Sequence, residues 1–415
     1  MLGRLLLLLG LVTAPVARAE PVVEGRTIKS FTVEYPFLDG QWEGILRASD
    51  GRIYFFVSTH SPTRAAHFFC YDPEKSAVEL LGDIGEVLGE NGKGTAPQSK
   101  VHSALCEDRG VLYFTTAWGF KSKDAKYPGG HFMSFDIRTR KFKDYGIPLP
   151  GYGLIAMIHD PKTRRCYSLS CSYPEADEES HLIILAPRDG TMTDKGIVLT
   201  RQNVCRVMFA DRRGCVYWSG AAGEVSYYDP ADDAVHKAKP IPPPPAEGLG
   251  KSPEQIAKEH AWRWIVWDDR TGLAYGLVTV NVHLFSLDPV RGLYEDLGYF
   301  GATGAEGRPT NLGFALVPGE RLYYAPWGKG RYTHLTSYDI RTGRFEDHGV
   351  ICVEEGRRVV EAHSMAVGKD GRLYIVASVY AIEGRDPVVE GRQLMGGRPY
   401  EMKFIVVKPG EDRGK

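Results

Sequence analysis

The sequence predicts an all-β protein, a seven-bladed β-propeller of four-stranded antiparallel blades, closed by an N-terminal strand that joins the last blade. Two observations carry this expectation. Hairpins with an aromatic residue in their second strand recur as RIYFFVS, VLYFTTA, RCYSLSC, CVYWSGA, LAYGLVT, RLYYAPW and RLYIVAS. Third strands then end in an aspartate turn at Tyr71-Asp72-Pro73, Phe135-Asp136-Ile137, Tyr228-Asp229-Pro230, Leu287-Asp288-Pro289 and Tyr338-Asp339-Ile340, with degenerate versions at Leu185-Ala186-Pro187 and Val407-Lys408-Pro409. Repeats of roughly 40–70 residues built from four short strands are the pattern of propeller blades.

Taken in order, the chain opens with Arg4, an apolar run from Leu5 to Val12, and Ala17-Arg18-Ala19. A basic start, a short apolar run and an A-x-A site describe a secretory signal peptide over residues 1–19. The run is too short to span a bilayer comfortably, so no membrane association is expected after cleavage, and the mature chain is expected to be secreted or periplasmic. Residues 20–415 then form a single domain. The segment 27–35 alternates like a half-buried strand.

Blades are expected at 42–83, 99–147, 153–199, 202–240, 261–299 and 310–352, and from 361 to 407. Six or eight blades is the alternative if the weak third repeat is misread. Turns such as Asp50-Gly51, Arg109-Gly110, Arg213-Gly214 and Asp370-Gly371 are strong hairpin signals between first and second strands. The outer strands KFKDYGI, MTDKGIV, LYEDLGY and RFEDHGV resemble one another, which reads as structural. The last blade lacks one strand. Segment 27–35 supplies it and removes two exposed edges.

Composition excludes some functions. A formal net charge of −1 over 415 residues argues against nonspecific nucleic-acid binding. Seven cysteines leave at least one thiol unpaired, and no C-x-x-C suggests a zinc-thiolate site. A bridge between Cys166 and Cys171 stays open. There is no Walker loop, dinucleotide glycine fingerprint, G-x-S-x-G elbow or H-E-x-x-H motif, and no nucleotide, haem or flavin is expected.

Long connections at 85–98, 119–130, 173–180, 240–259, 353–360 and 380–400 all fall on one face of the expected ring, where binding loops usually sit. Lys121, Lys123, Lys126, Arg385, Arg392 and Arg398 make two of them basic, whereas Glu175, Asp177, Glu178 and Glu179 make a third acidic. Ser252-Pro253-Glu254-Gln255 reads as a capping box opening a short helix.

Counting back from the second-strand tyrosine aligns the first strands. It places Glu43, His102, Arg206, Arg263 and His363 at equivalent channel positions, with apolar Ala156 and Leu312 in the other two blades. Ionisable groups there cost desolvation unless paired or in use. The alternative is that they are hydrogen-bonded pore fillers. His363, Glu43 and His102 come from adjacent blades and, with His60 nearby, make a candidate divalent-metal set. Arg206 and Arg263 suit a carboxylate or sulfate. Lys100, Asn203, Asn311 and Trp262, near the mouth, are candidate substrate contacts, Trp262 by stacking on a sugar; the alternative for Trp262, as for Trp264 and Trp267 in the same strand, is a core ring. His67, His131, His181, His283 and His334 lie in third strands and read as packing or surface residues.

The blade pattern resembles secreted bacterial propellers of the YVTN and streptogramin-lyase-like type. Lys100-Val101-His102-Ser103 before VLYFTTA and Glu361-Ala362-His363-Ser364 before RLYIVAS are similar to propeller polysaccharide lyases such as ulvan lyase and oligogalacturonate lyase. A departure is that the second strand of blade two ends Thr116-Ala117-Trp118, without a paired histidine. The resemblance implies an exported lyase acting by β-elimination on a uronate-containing, acidic carbohydrate. His102 or His363 would be the base, Arg206 and Arg263 the carboxylate clamp, and Tyr152 the acid. The competing class is a noncatalytic ligand- or protein-binding scaffold. A lactonase or hydrolase ranks below both, since only Glu43, Asn203 and Asn311 could add metal ligands. The protein is expected to be monomeric.

Overall fold

The computed structural model describes residues 21–119, 125–172, 179–200, 207–244, 252–278, 282–303, 313–328, 332–380 and 400–409. The first strand is β1 (Val22–Ser30). Five four-stranded antiparallel sheets follow in chain order. They are β2–β5 (Ile45–Arg47, Ile53–Val57, His67–Asp72, Ala77–Asp83), β6–β9 (Cys106–Asp108, Val111–Thr115, Phe132–Asp136, Lys141–Gly146) and β10–β13 (Tyr152–Asp160, Arg165–Ser172, Ser180–Ala186, Thr191–Leu199). Next come β14–β17 (Phe209–Ala210, Val216–Ser219, Val225–Asp229, Ala234–Lys237) and β18–β21 (Trp262–Asp268, Leu273–Val278, His283–Asp288, Leu293–Tyr299). The remaining strands are β22–β25 (Phe314–Val317, Arg321–Tyr324, His334–Asp339, Arg344–Cys352) and β26–β28 (Val359–Val367, Leu373–Tyr380, Tyr400–Val407). They share one eight-stranded sheet with β1, in the order β22-β23-β24-β25-β1-β28-β27-β26.

This is a β-propeller. The first strands touch in succession, β6 on β10, β14, β18, β22, β26 and finally β2. Thr59 N then donates to Ser99 O (2.9 Å), joining the β2–β5 sheet to the segment before β6.

The N-terminal strand pairs antiparallel with β28, Gly25 opposite Val407 and Ser30 opposite Lys403. It begins and ends earlier than the alternation suggests. Val22 to Glu24 pair in parallel with Val350 to Cys352 of β25, which extends the strand at its start. Phe31 is fully buried, and the chain turns there as Tyr35 N donates to Phe31 O (2.7 Å).

The repeating residues each have a job. In β3, β15 and β27 a tyrosine hydroxyl donates back to the aspartate of its own hairpin turn, Tyr54 to Asp50 (2.9 Å), Tyr217 to Asp211 (3.4 Å) and Tyr374 to Asp370 (3.1 Å). The third-strand aspartates cap the next turn, for example Asp136 Oδ1 accepting from Thr139 N (2.7 Å) and Asp339 Oδ1 from Thr342 N (2.9 Å). Such side-chain caps replace backbone partners that the turn removes.

Aromatic residues fill the spaces between sheets: Phe55 stacks on Phe404 at 4.3 Å and Phe56 packs on Phe114 at 4.7 Å. The capping box is present, with Ser252 and Gln255 opening α2 (Pro253–Glu259) after the one-turn α1 (Ile84–Val87). No disulfide joins the described cysteines, Cys166 and Cys171 among them.

Of the third-strand histidines, His67 packs its ring 5.3 Å from Tyr35 and 5.2 Å from Phe37, and the other four also make a specific polar contact. Nδ1 of His131, His181, His283 and His334 lies 2.9–3.2 Å from a carboxylate oxygen of Asp144, Asp194, Asp296 and Asp347. Each aspartate also accepts from the backbone N–H of a glycine two residues on.

Candidate axial site

The segment Gly40-Gln41-Trp42-Glu43-Gly44 leads into β2. Gly40 exchanges backbone hydrogen bonds with Ser58, just past β3. A Cβ on Gly40 would meet Trp42 Cη2 at 2.8 Å, so glycine lets the indole fold back over its own chain. Gly44 N then donates to Trp42 O (2.9 Å) across Glu43, whose φ is +66°. This is the pattern of the rare positive-φ γ-turn, a strained state for a residue with a Cβ.

Trp42 is the hub of the site. His102 lies flat against the indole at 5.0 Å and 26°. His60 meets it edge-on at 5.0 Å and 90°, and His363 at 6.5 Å and 74°. Lys100 Nζ lies over the same ring at 4.0 Å, a cation–π contact. Lys100 and His102, two residues apart in the lead-in to β6, thus reach one partner, as strand parity requires. His363, in β26, is buried, and its Nε2 is 2.8 Å from Ser378 Oγ. Glu361 lies on the same side, its Oε1 4.0 Å from His363 Nδ1. His60 Nδ1 is 3.0 Å from Asp39 Oδ1.

Glu43 keeps part of its surface accessible, yet its Oε1 is buried without a hydrogen-bond partner. Desolvation pushes its carboxyl up to about 8, against the opposing pull of the Arg263 guanidinium. The carboxyl is therefore largely protonated at neutral pH. Gln41 is fully buried, and neither atom of its amide is hydrogen-bonded; His363 Nδ1 is likewise unsatisfied. Buried polar groups are nearly always paired, so this concentration of orphans makes the axial cluster a candidate site.

The sequence-nominated residues divide. Glu43, His60, Lys100, His102 and His363 come together around Trp42, with Arg263 of β18 within electrostatic reach of Glu43. Trp262 does not offer a stacking face: it is fully buried against Phe209, and its Nε1 donates to Val207 O (2.9 Å). The Tyr152 ring packs on His181 at 5.5 Å. Arg206, Asn203 and Asn311 lie outside the described residues.

Among the described residues no group of three or more histidine, cysteine or acidic side chains is placed to hold a metal ion.

Counting missed Trp42, Gln41 and Asp39 because they precede the regular strand. The signal that could have found them is a tryptophan between two glycines, four residues apart, directly before a channel strand.

No protein-family model and no curated protein sequence matches the chain. Among solved structures, a chain of the mitotic checkpoint complex superimposes with a TM-score of 0.54 at 11% identity, over 98% of this chain and 100% of that one. U3-55K superimposes with a TM-score of 0.53 at 11% identity, over 89% and 97%. At that identity the likeness speaks to architecture alone, and it agrees with the strand arrangement: the chain is a β-propeller.

Proposed function

We propose that the protein is an exported, carbohydrate-active propeller, a lyase that cleaves uronate-containing polysaccharide by β-elimination at the axial site. The observation that carries this reading is the ring of His60, His102, His363 and Lys100 around Trp42, with the Arg263 charge reaching Glu43. We count seven blades in a single domain, dividing the eight-stranded sheet where β25 meets β1.

β-Elimination needs three services, and each has a candidate. Arg263 and Lys100, with Arg206 from the sequence count, would neutralise the uronate carboxylate and acidify the C5 proton. An imidazole bordering Trp42 would remove that proton. The freed electron pair forms the C4–C5 double bond as the C4–O bond breaks. The leaving oxygen then takes a proton from Glu43, which replaces Tyr152 as the acid because it is largely protonated at neutral pH.

Incubating the purified protein with a panel of acidic polysaccharides tests the reading. Release of unsaturated, ultraviolet-absorbing oligosaccharides is expected. Binding without product would favour the scaffold class. Activity lost on chelation and restored by a divalent ion would replace this arrangement with a metal-centred one.

A further inference from the structure

We propose that His60, oriented by Asp39, is the general base of this elimination, the role that sequence counting gives to His102 or His363. The assignment rests on the lyase reading above. It starts from accessibility. The His60 side chain is 19% exposed, whereas His363 is 4% exposed at its side chain and His102 is classed as buried. His102 also has its ring face against Trp42, and His363 has Nε2 engaged by Ser378. Of the three imidazoles, His60 is the one a polymer in the axial mouth reaches most readily.

Orientation is the second argument. Asp39 is nearly fully buried, and its Oδ1 accepts from both the His60 backbone N–H and Nδ1, each at 3.0 Å. A carboxylate on Nδ1 selects the tautomer that carries its proton there, so Nε2 presents the lone pair and the imidazolium formed later is stabilised. Asp39 is itself fixed by its N–H to Ser58 O (3.1 Å).

The peptide around His60 is equally constrained. Thr59 N donates to Ser99 O (2.9 Å), and Ser61 N donates to Thr59 Oγ1 (2.9 Å). A Cβ on Gly119 would lie only 2.3 Å from Thr59 O, so the start of the neighbouring loop packs directly on this peptide. Such rigidity suits a base that must meet one C–H bond. In the step itself Nε2 takes the C5 proton, the C–H pair becomes the C4–C5 double bond, and the departing C4 oxygen is protonated by the acid. His60 returns its proton to solvent.

The test compares His60→Ala, Asp39→Asn, His102→Ala and His363→Ala on the polymer that the panel identifies. His60→Ala is expected to lower kcat about 1,000-fold with little change in KM. Asp39 is a positioning residue. Its replacement is expected to lower kcat with little change in KM, because the imidazole is no longer held in one orientation and tautomer. An active enzyme whose rate survives His60→Ala overturns the assignment alone. A wild-type protein inert on every polymer overturns the lyase reading and this assignment with it. If His60→Ala fails to fold, nitrogen-15 NMR of the wild-type imidazoles decides: a proton on Nδ1 of His60 is expected, and one on Nε2 of the neutral ring overturns the proposal.

Discussion

Histidine is used in two opposite ways in this propeller. On the outer strands it is a clasp. His131 Nδ1 meets Asp144 and its Nε2 meets Glu90 at 3.1 Å, so both ring nitrogens are engaged. Burial alone would lower its pKa, but the hydrogen bonds to Asp144 and Glu90 outweigh that and push it up to about 9. At the axis His363 keeps a buried, unsatisfied Nδ1, beside a Gln41 amide with no partner and a carboxyl held protonated. The clasp pairs its Nδ1 with a carboxylate, while the axial cluster gathers several buried polar atoms without a hydrogen bond. That contrast separates scaffold from site more sharply than any count of histidines.

The comparison can be broken most forcefully at the hub. Trp42→Ala removes the surface that holds three imidazoles and a lysine, and is expected to lower kcat/KM about 100-fold through misplacement. Its melting temperature should fall far less than that of the core variant Trp262→Ala; steady-state kinetics and calorimetry check both.

Glu43→Gln should do the reverse of a damaging core mutation, gaining about 2 kcal/mol at pH 8 while losing activity. The folded carboxyl holds its proton up to about 8, whereas the unfolded one releases it near its ordinary value of 4.5. The native state thus binds more protons between these values, so wild-type stability falls as pH rises through them. The advantage of the variant should vanish near pH 4 and grow toward pH 8, as melting curves across pH would show.

His131→Ala should cost about 2 kcal/mol because it strands two carboxylates. Its folded pKa lies above the ordinary 6.5, so its contribution is fully present below pH 6.5 and fades as pH rises through about 9. The stability gap to wild type should therefore be wider at pH 6 than at pH 10 in urea titrations.

The smallest effect belongs to the clasp's backbone. Gly196 follows Asp194 at φ +82°, with open space where a Cβ would go, so Gly196→Ala should cost only about 1 kcal/mol. Gly349→Ala should cost more, since its Cβ would lie 2.0 Å from Pro21 O. Equal denaturation midpoints for these two variants would count against the packing half of that account.

Much of this architecture was legible in the sequence because its repeats are local. Each hairpin turn carries its own aspartate, and Tyr54, Tyr217 and Tyr374 bond within a few residues of their own turns. The clasps escaped notice because their partners sit on adjacent strands. Yet four of the pairs are separated by 13 residues, with a glycine two places after the aspartate, and that spacing was available to be counted. At the axis, counting back from tyrosine found Glu43, His102, Arg263 and His363, since equivalent residues of a closed ring converge. It could not foresee that Trp42 would fold over Gly40, and it left Trp262 open between the core and the mouth. Both depend on which side of an irregular or bulged segment faces the channel, and β18 shifts register between Trp262 and Trp264.

The seam formed by β1 has a temporal consequence. Val22 to Ser30 emerge from the ribosome early, but their partners in β25 and β28 are synthesised more than three hundred residues later, as the contact of Thr32 with Met402 across 370 positions illustrates. Completion must therefore be a late event, governed by the slow closure of a very long loop. Once zipped, the opening segment bridges two partner strands, so unravelling from that terminus has to detach both together.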